Sequence, residues 1–149
     1  MVSTVVRNTR RLLNLVNQLL DISKIDSNSM KLSLTEGDVI DFLRTLAASF
    51  SSIAETRHIN YVIQLPVVNR YVWFDPDKIE KVVDNLLSNA FRFTPASGTI
   101  SLSASYTLDD TENPVTLQFA VSDTGVGIPA EALDRIFDRF YQVEEHLGR

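Results

Sequence analysis

Ile100-Ser101-Leu102-Ser103-Ala104-Ser105-Tyr106-Thr107 sets an apolar residue against a small polar one at every step. Val115-Thr116-Leu117-Gln118-Phe119-Ala120-Val121-Ser122 repeats the alternation after a short link from Leu108 to Pro114. Successive side chains of a strand point to opposite faces, so each stretch reads as a strand with one dry face. The link is short enough for an antiparallel hairpin. Strands that are dry on one side belong to a sheet covered by helices on one face only. The expected fold is therefore α+β, a two-layer α/β sandwich with a mixed sheet, rather than a doubly wound one.

Working upstream, Ile79, Val82, Val83, Leu86, Leu87 and Ala90 form the apolar stripe of a helix. Its start is written in Asp75-Pro76-Asp77, where a capping carboxylate precedes a proline whose missing N–H costs nothing at the first helical position. Its end is written in Pro95, which discourages helix beyond Thr94. Two short strand candidates, Tyr61 to Leu65 and Tyr71 to Phe74, come before it, separated by Pro66 and Asn69. Earlier still, Val39, Phe42, Leu43, Leu46, Phe50, Ile53 and Ala54 predict one helix capped by Asp38, after a short alternating segment from Met30 to Leu34.

From Val5 to Met30 the residues Val5, Leu12, Leu15, Val16, Leu19, Ile22 and Ile25 recur at helical spacing, without Gly or Pro. A helix of ~26 residues is about 39 Å long, so part of this stripe is expected to meet another helix. Downstream of the hairpin, Pro129 to Tyr141 predicts a short helix that buries Leu133, Ile136, Phe137 and Phe140.

Composition closes off several function classes. A chain of 149 residues at 44% hydrophobic and 22% charged is sized for one core plus an appended element. With no Cys and two distant His there is no disulfide framework, thiol nucleophile or thiolate metal site, and a cytoplasmic address is expected. A net charge of −5, without a basic stripe, argues against a nucleic-acid partner. No apolar run is long enough to span a bilayer, so any membrane anchor is expected to lie outside these residues.

Two groups carry chemistry. Asn85, Asn89 and Arg92 are spaced by four and three, and so share one side of the helix beside the apolar edge at Val82. They would line a crevice at the rim of the core, although two asparagines also suit a solvated face. The second group is Asp123-Thr124-Gly125-Val126-Gly127-Ile128-Pro129. Continuing the period of two, Asp123 shares the dry face of Val121, at the mouth of the core, where a carboxylate needs donors. Gly125 and Gly127 permit positive φ and close approach of backbone to a ligand. An Asx turn closing the strand fits the same residues. Nothing matches a dinucleotide fingerprint or a P-loop.

These residues also resemble a known family. Asn85-Leu86-Leu87-Ser88-Asn89-Ala90-Phe91-Arg92-Phe93-Thr94-Pro95 is similar to the asparagine box of bacterial sensor histidine kinases. Asp123 to Pro129 resembles their first glycine box, and Ile136-Phe137-Asp138-Arg139-Phe140-Tyr141-Gln142 their phenylalanine box. Leu19-Leu20-Asp21-Ile22-Ser23-Lys24-Ile25 resembles the end of the second helix of the dimerisation and phosphotransfer domain. The resemblance implies residues 1–30 as that helix end and residues 31–149 as an ATP-binding catalytic domain of the gyrase, Hsp90, histidine kinase and MutL type. It implies that the intact protein transfers the γ-phosphoryl of ATP to a His for relay to the receiver domain of a response regulator. A non-catalytic nucleotide-binding or dimerisation module of a degenerate kinase is the alternative.

Carried over by position, the resemblance implies that Asn89 holds Mg²⁺ through its amide oxygen and that Asn85 lies beside the phosphates. Arg92, where the family often has Lys, would meet the phosphate tail, and Phe93 would flank the adenine. Asp123 would accept the adenine amino hydrogen, and Gly125 and Gly127 would shape the base pocket. Phe137 and Phe140 would anchor the start of the lid. The family's phosphoacceptor stretch does not occur here, and His58 and His146 read as surface residues rather than phosphorylation sites. The second glycine box expected after Arg149 is likewise not among these residues. That leads to two expectations for the isolated chain: self-association, and an open half-pocket without activity of its own.

Overall fold

The computed structural model describes residues 29–67, 70–111, 114–138 and 141, together with 9, 16, 23, 25 and 27. The chain divides into two compact units, residues 1–34 and 35–149. In the first, Thr9, Val16, Ser23 and Ile25 are helical, and the Ser27 N–H donates to the Ser23 carbonyl at 3.1 Å. The remainder of the expected N-terminal helix, most of the Leu19–Ile25 stretch included, lies outside the described residues.

The second unit runs β1 (Thr35–Asp38), α1 (Val39–Ala48), α2 (Ser51–Thr56), β2 (Asn60–Gln64), β3 (Tyr71–Phe74), α3 (Pro76–Phe93), β4 (Thr99–Leu108) and β5 (Pro114–Asp123). A single 3-10 turn, Ala130–Ala132, follows. β4 and β5 form the expected antiparallel hairpin, in register from Ile100 opposite Asp123 to Thr107 opposite Thr116, with a one-residue shift before Leu108 meets Pro114. β2 joins the other edge of β4 in parallel, Asn60 opposite Thr99, which makes the three-stranded sheet mixed. β1 and β3 pair antiparallel as a separate two-stranded ribbon. The α+β architecture is as the alternation indicated, with the strands divided between two sheets.

The helices start where side-chain oxygens meet the orphan N–H groups of a first turn. Asp38 Oδ1 accepts from the N–H groups of Ile40 and Asp41 at 3.0 and 3.1 Å, and Asp75 Oδ1 from that of Lys78 at 3.1 Å. The core lies between the helices and the sheet: Val39, Ile40 and Leu43 of α1 and Val83, Leu87, Ala90 and Phe91 of α3 are buried with Ile100 of β4. The ring of Phe91 stacks on Phe50 at 5.5 Å and meets the edge of Tyr61 at 5.3 Å.

Three expectations give way. The helix read from Val39 to Ala54 is two helices. The N–H groups of Ser49 and Phe50 turn back to the carbonyls of Leu46 and Ala47 at the third residue, and the Ser49 hydroxyl also donates to Leu46. On α3, Val82 and Leu86 are 46% and 41% exposed, so the dry stripe centres on Val83, Leu87 and Ala90 and leaves the other two beside the polar side chains. The helix expected from Pro129 to Tyr141 is one 3-10 turn followed by further turns closed at the third residue. Ala132 is buried there, whereas Leu133 is exposed and Phe137 is 93% exposed, so Phe137 does not anchor this segment. Phe140 lies outside the described residues.

Burial of Tyr61 pushes its phenol up from the usual 10 to about 12, while its hydroxyl donates to the Ala47 carbonyl at 3.2 Å. Because the folded value is the higher one, the contribution of this group is fully present below pH 10 and is lost as the pH rises towards 12. Ultraviolet titration should show one tyrosine ionising near pH 12, with unfolding in the same range. Tyr61→Phe should remove that spectroscopic step; a step that persists would contradict the assignment.

Candidate functional site

α3 carries the first half of the site. Asn85, Asn89 and Arg92 are all exposed on one face, at the spacing the sequence indicated. The Arg92 guanidinium lies 5.0 Å from the ring centre of half-buried Phe93, the last residue of the helix. A cation in a last helical turn also suits the negative end of the helix dipole. The helix stops because Thr94, preceding Pro95, turns to extended backbone at ψ 123° while its N–H still donates to the Ala90 carbonyl at 3.0 Å.

β5 carries the second half. Asp123 stands opposite Ile100, which is fully buried, so its side chain emerges on the dry face as the period of two requires. It is nevertheless exposed, because the strand ends there. Its Oδ1 accepts the Gly125 N–H at 2.8 Å, which is the Asx turn the sequence left open. The other carboxylate oxygen has no partner among the described residues. Thr124 ties the loop to the start of β4: its N–H donates to the Thr99 carbonyl at 3.0 Å, and its hydroxyl oxygen accepts from the Thr99 N–H at 2.9 Å.

The two glycines are needed for different reasons. A Cβ on Gly125 would lie 2.5 Å from the Phe93 carbonyl oxygen and 2.7 Å from Asp123 Oδ1, so the missing side chain lets the loop close on the end of α3. The close approach is thus to protein backbone. Gly127 sits at φ +71°, a conformation that disfavours any side chain, with open space around it. The structure therefore brings Arg92, Phe93, Asp123 and Gly125 to one junction, with Asn89 and Asn85 one and two turns back along α3.

Arg57 belongs to the same junction and has no local sequence signal. Its guanidinium donates to the carbonyls of Phe91 and Thr94, the latter at 3.1 Å, and these partners are 34 and 37 residues away in the chain. His58 is exposed at φ 54°, in keeping with a surface residue, and His146 lies outside the described residues. Among the described residues no group of three His, Cys, Asp or Glu side chains could hold a metal ion, and no helix is long and apolar enough to cross a membrane.

A mixed sheet backed by helices, with a polar face on one helix ending against a glycine loop, defines the class: a two-layer α+β domain. The family described as histidine kinase-, DNA gyrase B-, and HSP90-like ATPase matches residues 74–148, and the chain belongs to that family. It is 34% identical over 141 residues to the sensor histidine kinase WalK of Bacillus subtilis, covering 95% of this chain and 22% of that protein. It is 36% identical over 140 residues to hybrid signal transduction histidine kinase D of Dictyostelium discoideum, covering 94% of this chain and 9% of that one. Full-length ShkA, solved in complex with AMPPNP, superposes with a TM-score of 0.72 at 30% identity, over 89% of this chain and 27% of that one. The chain thus spans less than a quarter of the length of either curated relative.

Proposed function

We propose that this chain is the ATP-binding part of a sensor histidine kinase. In the whole protein it would present the γ-phosphoryl of ATP to a His of the dimerisation domain, for relay to a response regulator. The observation that carries the reading is the junction at the end of α3. Asn85, Asn89 and Arg92 lie exposed on one side of that helix, and the loop that carries the carboxylate of Asp123 closes on the helix end where Gly125 meets the Phe93 carbonyl. The ShkA complex with AMPPNP, a solved relative at 30% identity, supports the same assignment.

The donor set fits MgATP. Magnesium is a hard cation that takes oxygen ligands, keeps several waters and is held largely through substrate phosphates, and the amide oxygens exposed on α3 are donors of the kind it accepts. Asn89 would supply its amide oxygen to the ion, and Asn85 would lie beside the phosphates. Bound there, magnesium supplies charge neutralisation at the transferring phosphoryl group. Arg92 adds a second positive charge on the same face and holds the phosphate tail. Phe93 offers a flat apolar surface to the base. The unpartnered oxygen of Asp123 accepts the exocyclic amino hydrogen of adenine, and Gly125 and Gly127 shape the pocket. None of these groups is a nucleophile or base for the transfer; they position ATP and balance its charge.

The test is isothermal titration of the full-length protein with MgATP. Asn89→Ala removes the side-chain oxygen offered to the ion, which should weaken binding of MgATP by about tenfold or more. Equal affinity in the wild-type protein and the variant, or no MgATP binding by the wild type, would sink the reading.

A further inference from the structure

We propose that Arg57 is the positioning residue of this site, clamping the last turn of α3 so that the asparagine face and the Asp123 loop keep a fixed separation. The inference rests on the nucleotide reading above, because separation matters only to a ligand that touches both. The last carbonyls of a helix have no partner within it. At the end of α3 the Ala90 carbonyl is taken by the Thr94 N–H, and those of Phe91 and Thr94 by the two arms of the Arg57 guanidinium. That of Phe93 abuts Gly125. Arg57 is half-buried and makes no ion pair among the described residues, so its charge is directed at the negative end of the helix. A planar fork with fixed donors spans two carbonyls that a single ammonium could not.

The neighbouring backbone stiffens the clamp. His58 and Ser97 both have positive φ, 54° and 64°, a conformation that costs a non-glycine residue about 1 kcal/mol or more. They are bonded to each other, Ser97 N–H to His58 carbonyl at 2.8 Å, and the Asn60 N–H then reaches the Gly98 carbonyl at 2.9 Å. The corner carrying Arg57 is thereby tied to the turn after α3 by main-chain bonds as well as by the guanidinium. On the opposite side, the Gly125 loop closes on Phe93. The last turn of α3 is held from two sides, and the amides at Asn85 and Asn89 ride on the same rigid helix.

The experiment uses the full-length protein as wild type, Arg57→Gln, Arg57→Lys and Ile40→Val. The last removes one buried methyl group from α1 and serves as a control for destabilisation alone. Dissociation constants for MgATP and for adenosine are measured well below each thermal midpoint. Arg57→Gln should weaken MgATP about tenfold, since it reaches from the Asp123 loop to the asparagine face, and adenosine by less than about threefold, since it meets only the Asp123 loop and Phe93, which abut each other at Gly125. Arg57→Lys keeps the charge without the fork and should lie between, at about threefold. Ile40→Val should move neither constant. Amide exchange at Thr94 and Gly125 should also quicken in Arg57→Gln by about tenfold beyond the change seen in Ile40→Val. Ligand constants and exchange in Arg57→Gln that match those of Ile40→Val overturn the proposal. If the wild type binds neither ligand, the nucleotide reading falls. Exchange then judges the clamp alone: quickening at Thr94 and Gly125 sustains it, and no quickening overturns it.

Discussion

Asp123→Asn should leave the fold intact and lower the affinity for MgATP about a hundredfold. One oxygen of Asp123 is committed to the Gly125 N–H at 2.8 Å. An asparagine satisfies that donor with its amide oxygen and so turns its NH₂ outward, into the place of the unpartnered carboxylate oxygen. A donor then faces the amino group of adenine, and both are left unpaired in the complex, a loss of a few kcal/mol that accounts for the factor. The thermal midpoint should stay within a few degrees of wild type, because the Asx turn survives. Isothermal titration and a melting curve on the same sample read both quantities. Retained affinity would remove Asp123 from the site.

The second large effect falls on stability and binding together. Gly125→Ala forces a methyl group to within 2.5 Å of the Phe93 carbonyl oxygen and 2.7 Å of Asp123 Oδ1. Neither neighbour can yield freely, since one is main chain at the end of a packed helix and the other closes the Asx turn. The loop must move away from α3, at a cost of about 2–4 kcal/mol by the usual scale of steric and backbone strain. The halves of the site separate with it. A melting curve should show a markedly lowered midpoint, and MgATP binding should be lost even well below it. Gly127→Ala should be milder in its contacts, since no atom lies within 4 Å of the added Cβ, and should cost only the strain of a left-handed alanine, about 1 kcal/mol. The difference between the two variants checks that the first acts through contact with the helix.

Much of this architecture was legible because its causes are local. The hairpin follows from alternation over Ile100–Thr107 and Val115–Ser122. The limits of α3 follow from Asp75-Pro76 and from Pro95, and the facing of Asp123 from a period of two. What escaped depends on distant partners. β1, Thr35-Glu36-Gly37-Asp38, has no apolar alternation and exists because β3 lies alongside it. The break at Ser49 and Phe50 is a change from four-residue to three-residue bonding that no Gly or Pro announces. Val82 and Leu86 extend the apolar stripe of α3 in sequence, but the core reaches only Val83, Leu87 and Ala90. At the site, the spacing of the asparagines and the direction of the aspartate could be read directly. That Gly125 serves contact with Phe93, and that Arg57 grips the same helix end, could not, since each depends on residues more than thirty positions apart.

The parallel pairing of β2 with β4 sets the order in which this region can assemble. Asn60 and Thr99 are 39 positions apart, with β3 and all of α3 between them, whereas β4 and β5 are joined by a short turn. Local pairings close quickly, and pairings across a long loop must first overcome its closure entropy, so the hairpin is expected to precede the crossover. The contacts of Arg57 and His58 with the end of α3 form only when that crossover is shut. The junction at the end of α3 is then a late product of folding, absent from partly assembled forms. A ligand that recognises it selects the finished domain alone, slowing unfolding without hastening folding.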